Sequence, residues 1–324
     1  MNFKKYKKIV CFCILVVLTG PMTAHSAEKI KVLATFSILG DMVKRIGGKH
    51  VAITTLVGPD GDTHVYRPTP AAALAMSEAE LLIVNGLGFE GWLDRLVETS
   101  DFKGKRLVAT KGVNAIRYEE GEGHDDHAKD KHDDHGKDKH DDHAHHDHGE
   151  FDPHAWQSLE NALVYVNNIT TALAKISPDK AAVFSRNRAA YVAEIEALDK
   201  QIRKMVLGLP KNRRTVVTSH DAFQYFGRTY GLTFLAPQGM SIESEASAKD
   251  VAHLIKHMRA NKISAVFVEN ISDHRLIKQI ARETGATVGG ELYPGALSGP
   301  NGPAPTYLKM IHHNATMLTR TLGS

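Results

Sequence analysis

From residue 30 onward, short runs of aliphatic and β-branched residues alternate with stretches whose apolar positions recur at helical spacing. Runs at 30–36, 51–57 and 81–85 predict strands, and the stretches at 39–46 and 70–77 predict helices between them. The same rhythm returns near the other end, with strands expected at 215–218, 233–237, 265–269 and 286–291. Strands separated by helices predict an α/β fold, because each crossover helix returns the chain to start a parallel neighbour. Two such series predict two lobes, at 28–177 and 210–324.

Residues 178–209 lie between them. Their apolar positions Phe184, Tyr191, Ile195, Leu198, Ile202 and Val206 step by seven, four, three, four and four, a stripe along one helix face. Ser177 and Pro178 supply a start, and Gly208 and Pro210 a stop. At 1.5 Å per residue, about 30 residues make a rod of roughly 45 Å, long enough to run along both lobes and restrict their hinge motion.

Two segments fall outside this pattern. Lys4, Lys5, Lys7 and Lys8 precede an apolar run at 9–18, and Ala24, Ser26 and Ala27 follow it. Residues 1–27 therefore predict a cleaved secretory leader, too short in its apolar part to span a bilayer. Both cysteines, Cys11 and Cys13, fall inside it, and neither ends the apolar run where a lipoprotein's acylated cysteine would stand. A free periplasmic protein without disulfide or thiolate is expected, so a transition metal would be held by nitrogen and oxygen. The second segment, 119–150, repeats HDDHAKDK, HDDHGKDK and HDDHAHHDHG with almost no apolar residue, and reads as a disordered loop. It concentrates negative charge: removing the leader's four lysines takes the formal +3 to −1, and 13 acids against four lysines put −9 in the loop. Nucleic acid is not an expected partner, and a monomer is expected.

The loop's His124, His127, His132, His135, His140, His143, His145, His146 and His148 supply imidazole donors beside carboxylates. Chains of this kind collect zinc, copper or nickel with modest affinity, since each ion bound must also order the backbone. Outside the loop, His64 (GPDGDTHVYRPTP), His154 (FDPHAWQ) and His220 (VVTSHDAFQYFG) each sit at a strand or turn edge. One such histidine alone reads as a hydrogen-bonded surface residue. Three of them predict convergence on a cleft between the lobes, where α/β folds bind ligands. His253 and His257 at i, i+4, and the pair His312 and His313, read as polar helix faces. Glu243 and Glu245 are either a helix-start pair or acids that orient His220.

The strings GDTHVYRPTP, DPHAW, VVTSHDAFQYFGRTYGL, IESEASAKD and GGELYPGALSGPNGPAPTYLKMIHHN, taken in order, resemble the metal-specific solute-binding proteins of bacterial ABC importers. The resemblance covers nearly the whole chain after the leader. It implies two lobes joined by a long rigid helix, one ion between them and a membrane permease as partner. Histidine at position 220 and a histidine-rich insertion before DPHAW are typical of zinc members, whereas manganese or iron members commonly carry glutamate at position 220. Where many relatives have an aspartate ligand in a string like LYxDALS, this chain has Gly295, which has no side chain to coordinate. Water is the expected fourth ligand, with Glu291 and Asp62 as the alternatives. The function expected is periplasmic zinc capture and delivery. The rivals are a manganese or iron receptor, a secreted zinc hydrolase, and an adhesive or metallochaperone-docking role for the loop. The chain has no HExxH, GxSxG or P-loop to support an enzyme.

Overall fold

The computed structural model describes residues 28–117, 150–243 and 245–324. The expected leader, and the expected loop with its nine histidines, lie outside these residues apart from Glu150.

Each lobe is built on a four-stranded, wholly parallel sheet. The first contains β1 (Ile30–Phe36), β2 (Val51–Val57), β3 (Leu81–Val84) and β4 (Lys105–Val108) in the order β2-β1-β3-β4. Helices α1 (Ser37–Gly47), α2 (Pro70–Ser77) and α3 (Leu93–Thr99) make its crossovers. The second contains β5 (Thr215–Val217), β6 (Thr233–Leu235), β7 (Ala265–Glu269) and β8 (Thr287–Leu292) in the order β6-β5-β7-β8. Its crossovers carry α6 (Gln224–Tyr230), α7 (Ala248–Ala260) and α8 (His274–Thr284). Helices α4 (Leu159–Ile176), α5 (Ala181–Leu207) and α9 (Tyr307–Gly323) pack along the back.

In the first lobe the pattern missed β4, α3 and α4. β4 is a short edge strand whose Lys105 and Arg106 are exposed, so no apolar run announces it. Strand β3 stops at Val84 rather than residue 85, where the Asn85 amide donates to Glu90 Oε1 at 2.7 Å instead of to a neighbouring strand.

α5 is the predicted rod. All six residues of its apolar stripe are buried, and its 27 residues span about 40 Å. It is tied to the first lobe by Asn187 Nδ2, which donates to Ile46 O at 2.8 Å. On the second-lobe side, Arg203 donates to Thr229 O and Tyr230 Oη donates to Asp199. One cluster of buried side chains, including Phe36, Trp156, Tyr191, Phe223, Phe267 and Tyr307, runs through both lobes, so they share a core as well as a linker.

The β7–β8 pairing carries a register shift between Val266 and Val268. Gly289 lies opposite, where an added Cβ would come within 2.4 Å of the Phe267 ring, and Gly290 adopts φ +123°. Only glycine admits that close approach and that backbone. The shift brings Glu269 opposite Leu292 at the carboxyl end of the sheet.

Candidate metal centre

In both sheets the strand order reverses between two central strands, β1 and β3 in one and β5 and β7 in the other. Loops leaving the carboxyl ends of such strands line a ligand crevice. His64 follows β2, His154 lies just before α4, and His220 follows β5. The structure brings all three together: one nitrogen from each ring lies within 4.8 Å of the other two. His64 Nε2 and His154 Nε2 are 3.2 Å apart. A tetrahedral ion with metal–nitrogen bonds of 2.0–2.1 Å would set its ligand nitrogens roughly 3.3 Å apart, so these two rings already stand at chelating separation. His154 and His220 are fully buried and His64 is half-buried. His220 Nε2 is buried without a hydrogen-bond partner, a cost the fold carries unless a ligand meets that atom.

Two carboxylates fix how the rings present themselves. Asp152 Oδ1 is 2.8 Å from His154 Nδ1 and also accepts from the His154 amide. Glu269 Oε2 is 2.5 Å from His220 Nδ1, while its Oε1 accepts from the amides of Ser219 and His220. With an Nδ1 proton held by a carboxylate, each imidazole offers its Nε2 lone pair to an ion. Phe89 packs edge-on against His64 and His154, and Trp156 against His154, so one wall of the centre is aromatic.

The electrostatics follow from burial. Burial, reinforced by the neighbouring imidazoles, holds His64 and His154 well below the usual histidine range, leaving both neutral and ready to ligate. For His220 burial pulls the same way, but the charge and hydrogen bond of Glu269 outweigh it and the pKa rises. Burial pushes Asp152 up to about 7 and Asp221 up to about 6.

The other residues singled out in the sequence lie elsewhere. Glu291 accepts from Tyr293 Oη at 3.0 Å, with His274 3.7 Å away, and is outside the three-histidine group. Asp62 Oδ1 accepts from the His64 amide, while its Oδ2 is buried without a partner. Glu243 and Glu245 are exposed, and the acid that orients His220 is Glu269. His253 and His257 are exposed on α7. On α9, His312 Nε2 meets Gln201 and His313 Nε2 meets Glu291 O. The sequence reading missed the roles of Asp152 and Glu269. Asp152 had a usable signal, since it stands two residues before His154. Glu269 had a weaker one, an acid at the carboxyl end of a strand 49 residues from its partner.

The insertion's neck is also defined. Arg117 pairs with Glu150 at 2.5 Å and bridges to Phe151, so residues 118–149 leave and rejoin the fold at adjacent points, close to His154. Tyr225 on α6 grips this neck by accepting from the Ile116 amide and donating to Asp152 O.

Two parallel-sheet lobes with a convergent nitrogen centre at their seam define a two-lobe binding protein for a metal ion. Residues 32–321 match the profile of the ZnuA family, described as zinc-uptake complex component A, periplasmic, and the chain belongs to that family. It is similar to the iron-binding protein YfeA of Yersinia pestis, 31% identical over 93% of this chain and 88% of the relative. It is also similar to the manganese-binding lipoprotein MntA of Bacillus subtilis, 31% identical over 91% and 90%. Among solved structures, the periplasmic zinc-binding protein TroA of Treponema pallidum superposes with a TM-score of 0.78 at 27% identity, covering 90% of this chain and 98% of that one. A manganese-bound periplasmic metal-binding protein of Candidatus Liberibacter asiaticus gives 0.75 at 31% identity, with the same coverage. The chain is thus a substrate-binding component of a metal ABC transporter, with a membrane permease as partner, and not an enzyme. Among the described residues no helix is long and apolar enough to cross a membrane.

Proposed function

We propose that the protein is a periplasmic zinc receptor, holding Zn2+ through His64, His154 and His220 and passing it to the permease. The observation that carries this reading is the all-nitrogen donor set, behind which Asp152 and Glu269 each hold a ring Nδ1 and a backbone amide through the carboxylate. Neutral imidazoles suit zinc, whereas manganese prefers oxygen donors, and zinc stands above manganese and iron in intrinsic affinity. Relatives named for iron and manganese make those ions the rivals. Water takes the fourth position, and Asp62, with one buried oxygen unpartnered, is the carboxylate that competes for it.

Residues 1–27 act as a cleaved leader. The histidines of the insertion, from His124 to His148, act as auxiliary weak zinc sites. Metal analysis and competition titration of untagged protein test the assignment: zinc is expected to displace manganese and iron, and preferential retention of either would overturn it.

A further inference from the structure

We propose that Asp60 is a positioning residue that clasps the supports of all three histidines across the seam and thereby sets how fast the bound ion leaves. The inference rests on the metal-receptor reading above. Asp60 adopts φ 56°, a left-handed backbone that glycine takes freely and aspartate tolerates better than most other residues. Glycines stand nearby at positions 58 and 61, yet position 60 carries a carboxylate.

What Asp60 does with that backbone is make hydrogen bonds to two segments that leave strands of the second sheet. Its amide donates to Leu297 O at 2.8 Å, its Oδ1 accepts from Asn270 Nδ2 at 2.9 Å, and its Oδ2 accepts from the Gly299 amide at 3.3 Å. Each bond reaches the support of a ligand. Asn270 directly follows Glu269, the acid on His220 Nδ1. Leu297 and Gly299 belong to the segment whose Pro294 carbonyl accepts from Trp156 Nε1 at 2.8 Å and Gln157 Nε2 at 2.6 Å, within three residues of His154. Asp60 itself lies two residues before Asp62, which holds the His64 amide.

Segment 294–299 follows β8 of the second lobe but is fastened to the first, since Leu297 N also donates to Ser37 Oγ at 3.0 Å. Separating His220 from His64 and His154 therefore requires Asn270 to leave Asp60. A charged acceptor strengthens these bonds relative to a neutral one.

Asp60→Gly separates clasp from scaffold. Glycine relieves the left-handed backbone and keeps the amide bond to Leu297, but removes both side-chain acceptors. Asp60→Asn keeps an acceptor without the charge. The measurement is the release rate of the ion from the full-length loaded protein into excess chelator, by stopped flow, using zinc or whichever of zinc and manganese the wild type retains. Release roughly ten-fold faster from Asp60→Gly and intermediate from Asp60→Asn is expected, with an unchanged association rate and the metal-free melting temperature within about 2 °C of wild type. Equal release from all three proteins overturns the clasp. A melting temperature lowered in proportion to the faster release also overturns it, because the residue would then be supporting the fold at large. A wild type that retains manganese instead of zinc defeats the zinc assignment while leaving this comparison intact, and a wild type that retains neither ion defeats both.

Discussion

His220 and Glu269 form the shortest polar contact of the centre, 2.5 Å between Nδ1 and Oε2, with both side chains fully buried. The second oxygen of Glu269 is taken by the amides of Ser219 and His220, so ring and backbone are held by one carboxylate.

Glu269→Gln is accordingly expected to weaken zinc 10- to 100-fold, the usual range for losing a carboxylate behind a metal-bound histidine. Competition against a chromophoric chelator measures it. Glu269→Ala should do worse and also lower stability by about 1–3 kcal/mol, because it strands buried donors. Unchanged zinc affinity in Glu269→Gln would mean that His220 needs no help in presenting Nε2.

The sign of the pH dependence follows from which groups hold protons in the metal-free protein. Glu269 lifts His220 above its ordinary value against burial, so protons compete with the ion for this ring more strongly than for a free imidazole. Asp152, pushed up to about 7 by burial, adds a second such competition: once protonated it donates to His154 Nδ1 and drives the ring's own proton onto Nε2, blocking ligation. Lower pH favours these protonated forms, so zinc affinity falls as pH falls. His64 and His154, held well below the histidine range, add nothing until more acidic conditions. Between pH 7.5 and 5.5 the slope should be about one to two decades per unit rather than three. A flat profile would argue that oxygen, not imidazole, dominates the donor set.

The two lobes, the rod and the convergence of the three histidines were legible because each is written locally: strands in apolar runs, α5 in a six-residue stripe, and the histidines at strand or turn edges. What was not legible depends on pairing at a distance. Glu269 reads as the last residue of a strand until the parallel pairing of β7 with β5 sets it beside the turn that carries His220, and nothing near position 220 signals it. Glu291 looked equally available as an acid at a strand end, but Tyr293 Oη takes it. The backbone at Asp60 is likewise invisible in a string of turn residues, since aspartate and glycine suit many turn types.

Deleting residues 121–149 is expected to abolish a class of weak zinc sites and leave one tight site. The neck supports this expectation, because Arg117 pairs with Glu150 and bridges to Phe151, outside the deletion. Asp152 and His154 are then held by Tyr225 and by Asn85 Nδ2, which donates to Pro153 O at 2.9 Å. Calorimetry reads both classes in one titration, and loss of the tight class would place the principal ligands in the insertion.

Gly295 stands where the resemblance implies a ligating aspartate in many relatives, and the structure removes the main objection to placing one there. Its φ is outside the left-handed region, and an added Cβ would meet Trp156 Cζ2 at 3.8 Å and Ile271 Cδ1 at 3.9 Å, ordinary van der Waals contacts. Neither backbone strain nor a clash is therefore expected from Gly295→Asp. A carboxylate brought to a cation among neutral imidazoles should tighten zinc by about ten-fold and manganese by more, since the harder ion gains more from oxygen, so affinity rises while selectivity falls. Asp62→Asn is the informative companion. If Asp62 already fills the fourth position, that variant loses most zinc affinity and Gly295→Asp adds little to wild type. If water fills it, Asp62→Asn costs little, because the asparagine Oδ1 still accepts from the His64 amide, and Gly295→Asp yields the full gain. Titrating zinc and manganese against both variants distinguishes the two, and a Gly295→Asp protein with unchanged affinity for both ions would show that this position does not face the centre.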